Sequence, residues 1–310
     1  MRDLEKPGRS PAFGKHGMVA TSHAISTAVG LDILRRGGNA MDAAVAACAV
    51  QCVVEPESTG IGGDNFCIFA PEGSIKDMVA FNGSGRAPAA ATPEWYADRG
   101  IATIERQSPH AVIVPGVIDA WETLTKNHGT MDLAELLQPA IEYARDGYPV
   151  SSRVSTDFKS NEALLKGCPN ATRVFMPAGR LPECGEMHHQ PALAATLEKI
   201  AKQGRDAFYT GEVAEDIVSF LQSHGGLHTL EDFKAAAGEY VTPISTSYRG
   251  YDVYECPPNG QGVIALLLLN MLKDVPTDGV DPISAERLHM EIEFGRLAYQ
   301  DRNIFVADPN

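Results

Sequence analysis

The 310-residue sequence has no excess of positive charge: 26 Lys and Arg against 40 Asp and Glu leave a formal charge of -14. Nucleic-acid binding needs clustered cations to displace counterions from phosphates, and no basic stripe occurs here. Nucleic acid is therefore excluded as a partner, and the acidic surface reads as solubilising. No apolar run approaches the roughly 20 residues needed to cross a bilayer, which excludes a membrane-spanning role. The polar opening, MRDLEKPGRSPAFGKHG, lacks the apolar core of a secretion signal. The expectation is a cytoplasmic protein. Six cysteines are present but no CxxC pair. Cys48 and Cys52 stand one helical turn apart, where Cβ atoms lie roughly 5–6 Å from each other, too far for an unstrained disulfide. They read as small buried hydrophobes in a reducing compartment. Internal repeats and low-complexity tracts are also missing, which removes solenoids and linkers from consideration.

What is present is an ordinary globular composition, 44% hydrophobic and 21% charged, in a chain long enough for a large core. Its most informative stretch is 17–69. Ile25, Ala28, Val29 and Ile33 form one stripe of a helix predicted over 24–36. Arg35 and Arg36 suit its negative C-terminal end, and Gly37-Gly38 supplies a left-handed exit. Asn39 with Asp42 makes a capping box for a second, Ala-rich helix, expected to be buried, which Glu55-Pro56 stops. His23 is expected to cap or pack at the first helix start. The glycine-rich turn Gly60-Ile61-Gly62-Gly63 follows a helix and precedes a strand, the reverse of a dinucleotide fingerprint, so it reads as a tight turn.

Beyond it, strands over 65–70 and 75–81 read as a hairpin around Pro71–Ser74, and 111–114 as a short strand. Residues 118–221 read as largely helical, with Pro139 restarting a helix and 167–190 as a long surface loop. Helices follow over 191–203 and 212–224, and Thr229 with Asp232 makes a second capping box. Strands over 241–247 and 251–256 join through Arg249-Gly250, and helices over 262–272 and 285–301 close the sequence. Helices and hairpins interleave without a βαβ rhythm, which predicts an α+β class. Cys184, Glu186, His188 and His189 cluster as metal ligands would but lack a second pair at zinc spacing, so no metal is assigned. Asp301 and Arg302 read as an ion pair at a helix end.

The 17–69 stretch, with GRAPAAATPEWY, VPGVIDAWETL, HGTMDLAELLQPAIEYARDGYPVS, FYTGEVAEDIVSFL, GGLHTLEDF, YRGYDVYECPPNGQG and GRLAYQDRNIFVADP in collinear order, resembles the large subunit of the γ-glutamyltranspeptidase family. Members are Ntn (N-terminal nucleophile) amide hydrolases. The resemblance implies one large-subunit part, 1–310, of a four-layer αββα sandwich that the small subunit of the same precursor completes. It implies a small-molecule amide substrate, of γ-glutamyl type, and no cofactor. The implied nucleophile is a Thr that becomes a new N-terminus beyond Asn310, so no catalytic residue is assigned within this chain. Family members carry an Arg three positions before an Ala-Pro pair, for the substrate α-carboxylate. Aligned on Ala87-Pro88, that position holds Ser84, and Arg86 is the nearby cation. Arg86 is therefore a candidate substrate contact, as are Asn259 and Gln261, in a loop that borders the cleft in relatives. Ser84 raises a rival reading, an acylase for a non-glutamyl amide, and a separate rival is a non-catalytic homologue that has lost processing.

Overall fold

The computed structural model describes residues 10–276 and 279–307. In chain order its elements are α1 (Ala24–Arg35), α2 (Ala40–Val54), β1 (Asn65–Phe69), β2 (Val79–Gly83), α3 (Pro93–Ala97), α4 (Val117–His128) and α5 (Leu133–Asp146). There follow β3 (Tyr148–Pro149), α6 (Ser152–Ser160), α7 (Glu162–Lys166), α8 (Pro169–Phe175), β4 (Met187–His188), α9 (Pro191–Gln203), α10 (Asp206–Tyr209), α11 (Glu212–Ser223) and α12 (Leu230–Lys234). The last are β5 (Glu239–Val241), β6 (Ile244–Tyr248), β7 (Tyr251–Glu255), α13 (Gly262–Leu272) and α14 (Ala285–Phe305). The class is α+β, as the sequence predicts. Two compact units emerge: a helical one, residues 14–64 and 85–237, and a sheet-bearing one, residues 10–13, 65–84, 238–276 and 279–307.

In the helical unit, the α1–α2 pair forms for the reasons legible in its sequence. The His23 ring Nδ1 accepts the Ile25 N–H at 3.2 Å, and Gly37 takes φ +96° at the α1 exit. Asn39 and Asp42 cap α2 reciprocally, and α2 packs against α1, α4 and α5. The Asp42 carboxylate is fully buried and also accepts from Thr130 N, Thr130 Oγ1 and Met131 N, joining α2 to the turn before α5. Such a buried carboxylate is tolerable because several donors satisfy it. The Gly63 carbonyl accepts from Gly116 N and Val117 N, so the glycine turn caps the start of α4. Tyr209 donates to the Pro115 carbonyl at 2.7 Å and accepts from Asp119 N, while Asp119 pairs with Arg205 at 2.6 Å.

The sheet-bearing unit holds an antiparallel sheet in the order β1-β2-β5, with Cys67 opposite Phe81 and Phe81 opposite Tyr240. The Phe81 and Tyr240 rings meet edge to face at 5.0 Å. A separate hairpin, β6-β7, carries α13 on its side, with α14 packed on α13. No helix among the described residues is long and apolar enough to cross a membrane.

Several expectations change. The second hairpin strand starts at Val79, because Ile75–Asp77 coils into a 3-10 turn held by Ser74 Oγ donating to Asp77 at 2.7 Å. Residues 109–111 form a 3-10 turn, and 112–114 are extended without strand pairing. Pro139 sits inside α5; its missing N–H costs one bond to the exposed Glu135. The strand expected over 241–247 splits at Pro243, which cannot donate to a ladder: β5 joins β2, and β6 joins β7. The 167–190 segment contains α8 and β4 rather than loop alone, and β4 pairs with β3. Cys48 is exposed, though Cys52 is buried. Among the described residues Arg302 donates to Asn303, not to Asp301.

Candidate active site

The sheet-bearing unit brings one predicted site residue into a polar cluster. Strand β2 ends in Asn82 and Gly83, Ser84 follows it, all three are buried, and the loop between β7 and α13 lays Asn259 against them. Asn82 Nδ2 donates to Asn259 Oδ1 at 2.9 Å, and Asn259 Nδ2 donates to Ser84 Oγ at 2.9 Å. Asn82 Oδ1 accepts the Ser84 backbone N–H at 3.1 Å. That last bond fixes the orientation of the rest, because a backbone N–H can only donate. Asn82 must face it with oxygen, so its nitrogen turns to Asn259, whose own nitrogen turns to Ser84. Cys256, at the base of the loop, is buried beside the Cys67 carbonyl. Gly260 lies against Phe66: a Cβ added there would stand 3.4 Å from its ring. Asn259 remains half-buried and Phe66 part-exposed.

Gln261 does not join this cluster; it is exposed at the N-cap of α13, and its side chain makes no capping bond. Arg86, in the helical unit, is exposed, and its backbone is fixed: its carbonyl accepts the Val114 N–H at 2.9 Å. Gly85 before it has φ +80°, and a Cβ there would fall 1.8 Å from the Val114 carbonyl oxygen, so only glycine fits. Asn82 had no signal of its own in the sequence. Its partner lies 177 residues away, beyond the reach of local spacing.

The four-residue metal-like cluster resolves into other partnerships. Arg180 grips Glu186 with two bonds, at 2.8 and 2.7 Å, and this holds the carboxyl at a pKa of about 2. His188 is buried among the Tyr148, Phe158 and Phe175 rings, and burial lowers its pKa to about 4. Among the described residues no three His, Cys, Asp or Glu side chains are grouped to hold a metal. A groove of about 840 Å³ between α1 and α5 is rimmed by Asp32, Arg36 and Glu135, already joined to one another through Arg36.

An α+β chain with a helical unit, an antiparallel sheet and a polar cluster at the end of its central strand defines the class. The particular family follows from comparison: a family profile described as Gamma-glutamyltranspeptidase matches residues 26–310, and the chain belongs to that family. It is 39% identical, over 96% of its length, to the glutathione hydrolase-like YwrD proenzyme of Bacillus subtilis, of which it covers 56%. Among solved structures it is similar to the Helicobacter pylori γ-glutamyltranspeptidase, with TM-score 0.87 at 30% identity, covering 96% of this chain and 86% of that one. It is also similar to the cephalosporin acylase of Bacillus halodurans, with TM-score 0.83 at 36% identity, covering 99% of this chain and 59% of that one. The chain spans about half the length of the curated relatives it matches. The Ntn-hydrolase fold expected from the sequence is thus the fold of its structural neighbours.

Proposed function

We propose that this chain is the large-subunit portion of an enzyme that hydrolyses or transfers γ-glutamyl amides of the glutathione type. The observation that carries this reading is the near-complete match of the chain to about half of proenzymes named glutathione hydrolase. The nucleophile on this reading is a Thr supplied by the other half. Its hydroxyl attacks the amide carbonyl while its own α-amine takes the proton, and the resulting ester passes to water or to an amine. That chemistry calls for no cofactor.

The partner on this reading is the small subunit of the same precursor, which shares one domain with 1–310. Support comes from α14, which presents Leu288, Ile292 and Tyr299 in one exposed stripe. Arg86, Asn259 and Gln261 are the proposed acyl contacts. A cytoplasmic, reducing setting belongs to the same proposal, supported by six cysteines that all remain free thiols. A second reading, an acylase for a non-glutamyl amide, is favoured by one observation: Ser84 is buried in a bond with Asn259 where an Arg would be expected.

The test uses the full-length precursor. Mass spectrometry is expected to find two fragments, the smaller beginning with Thr, and the cleaved protein is expected to release p-nitroaniline from γ-glutamyl-p-nitroanilide. Cleavage without γ-glutamyl turnover would move the assignment to the second reading. An uncleaved, inactive protein would reject both.

A further inference from the structure

We propose that Asn259, locked by Asn82 and Ser84, receives the polar end of the substrate's acyl group through neutral hydrogen bonds, so that the site accepts an uncharged amide there nearly as well as a carboxylate. This rests on the γ-glutamyl reading and refines its substrate class.

The cluster is preorganised. Each of its three hydrogen bonds depends on the one before, and the Ser84 N–H anchors the series to the backbone just past the end of β2. A side chain held this way loses little freedom when a ligand arrives. It also keeps capacity to bind one. A carboxamide has two N–H donors and two acceptor lone pairs. Asn259 spends one donor on Ser84 and one lone pair on Asn82, leaving one of each on a half-buried group. A donor beside an acceptor complements a second amide, and the donor alone serves a carboxylate. Phe66, part-exposed against Gly260, adds an apolar wall suited to the methylenes of an acyl chain.

None of the three polar side chains carries charge. A guanidinium would favour a carboxylate strongly, since charge-assisted bonds are about twice as strong as neutral ones and Arg can bind bidentately. Asn259 discriminates by shape and hydrogen-bond pattern instead.

The experiment compares kcat/KM of the cleaved full-length protein on γ-glutamyl-p-nitroanilide and on its α-carboxamide analogue. The expected preference for the carboxylate is less than about tenfold, because on this inference neutral bonds from Asn259, and not Arg86, meet that end of the acyl group. Asn259→Ala is expected to lower kcat/KM on both substrates at least about fivefold, mainly through KM, as lost ground-state binding does. Ser84→Arg is expected to raise the carboxylate preference above that of the unaltered enzyme. A carboxylate preference of about tenfold or more in the unaltered enzyme overturns the proposal. So does an Asn259→Ala protein that cleaves itself normally and keeps its kcat/KM on both substrates. If Asn259→Ala blocks self-cleavage, the preference of the unaltered enzyme decides alone. Turnover of neither substrate by cleaved protein sinks the γ-glutamyl reading itself, and this inference with it; turnover with strong carboxylate preference sinks only this inference.

Discussion

Helix α2 buries eleven of its fifteen residues, whereas α14, with twenty-one residues, buries only Ala298. Both are rich in apolar side chains. The difference is what surrounds them. α2 is enclosed by α1, α4 and α5 of its own unit, while α14 packs on α13. Ile292 and Phe305 are 60% and 76% exposed. Exposed apolar stripes of this kind mark surfaces that another element covers. The helical unit buries α2 within the chain, whereas the sheet-bearing unit leaves an apolar face of α14 exposed.

The comparison breaks most sharply under truncation. Ile33→Ala, at a fully buried position of α1, is expected to cost about 2–5 kcal/mol in denaturant unfolding, whether the chain is alone or part of the cleaved precursor. Ile292→Ala is expected to change the isolated chain by no more than about 0.5 kcal/mol, and the cleaved precursor by about 2 kcal/mol. Equal costs in both settings would mean that nothing covers α14.

A second contrast is in acid. His188 has a folded pKa of about 4 against an ordinary 6.5, so it is held neutral by burial. The unfolded chain binds its proton first as pH falls. Stability is therefore present above pH 6.5 and is lost as the pH drops from 6.5 through 4. His188→Phe, which suits the surrounding rings, is expected to flatten that slope by up to about one proton near pH 5. An unchanged slope in urea titrations at several pH values would remove His188 from the acid response. The smallest effect is expected at the second capping box. Thr229→Ala should cost about 1 kcal/mol by urea unfolding, because Thr229 Oγ1 accepts the Asp232 N–H and Asp232 answers to Thr229 N. A cost near zero would make that cap ornamental.

These contrasts also mark how far the sequence could be read. Asn39 with Asp42, Thr229 with Asp232, Gly37, and the bounds of α9 and α13 depend on residues within a few positions of each other, and each is legible. The strand read over 241–247 runs through Pro243, where the missing donor splits it in the structure. Burial of His188 was not legible, because its ring partners Tyr148, Phe158 and Phe175 come from three separate segments. Asn259 could be nominated as a contact through family likeness, but its partners Asn82 and Ser84 lie 177 and 175 residues away. Tertiary pairing at that distance leaves no periodicity to read. Gln261, nominated alongside it, stays outside the cluster because it turns to solvent at the head of α13.

The most direct measurement is hydrogen exchange along residues 285–305, in this chain alone and in the cleaved full-length protein. The account predicts slow exchange in the full-length protein and exchange at least about tenfold faster in the isolated chain, with α2 equally protected in both. Equal protection of 285–305 in the two samples would contradict it, for then the chain would already be whole.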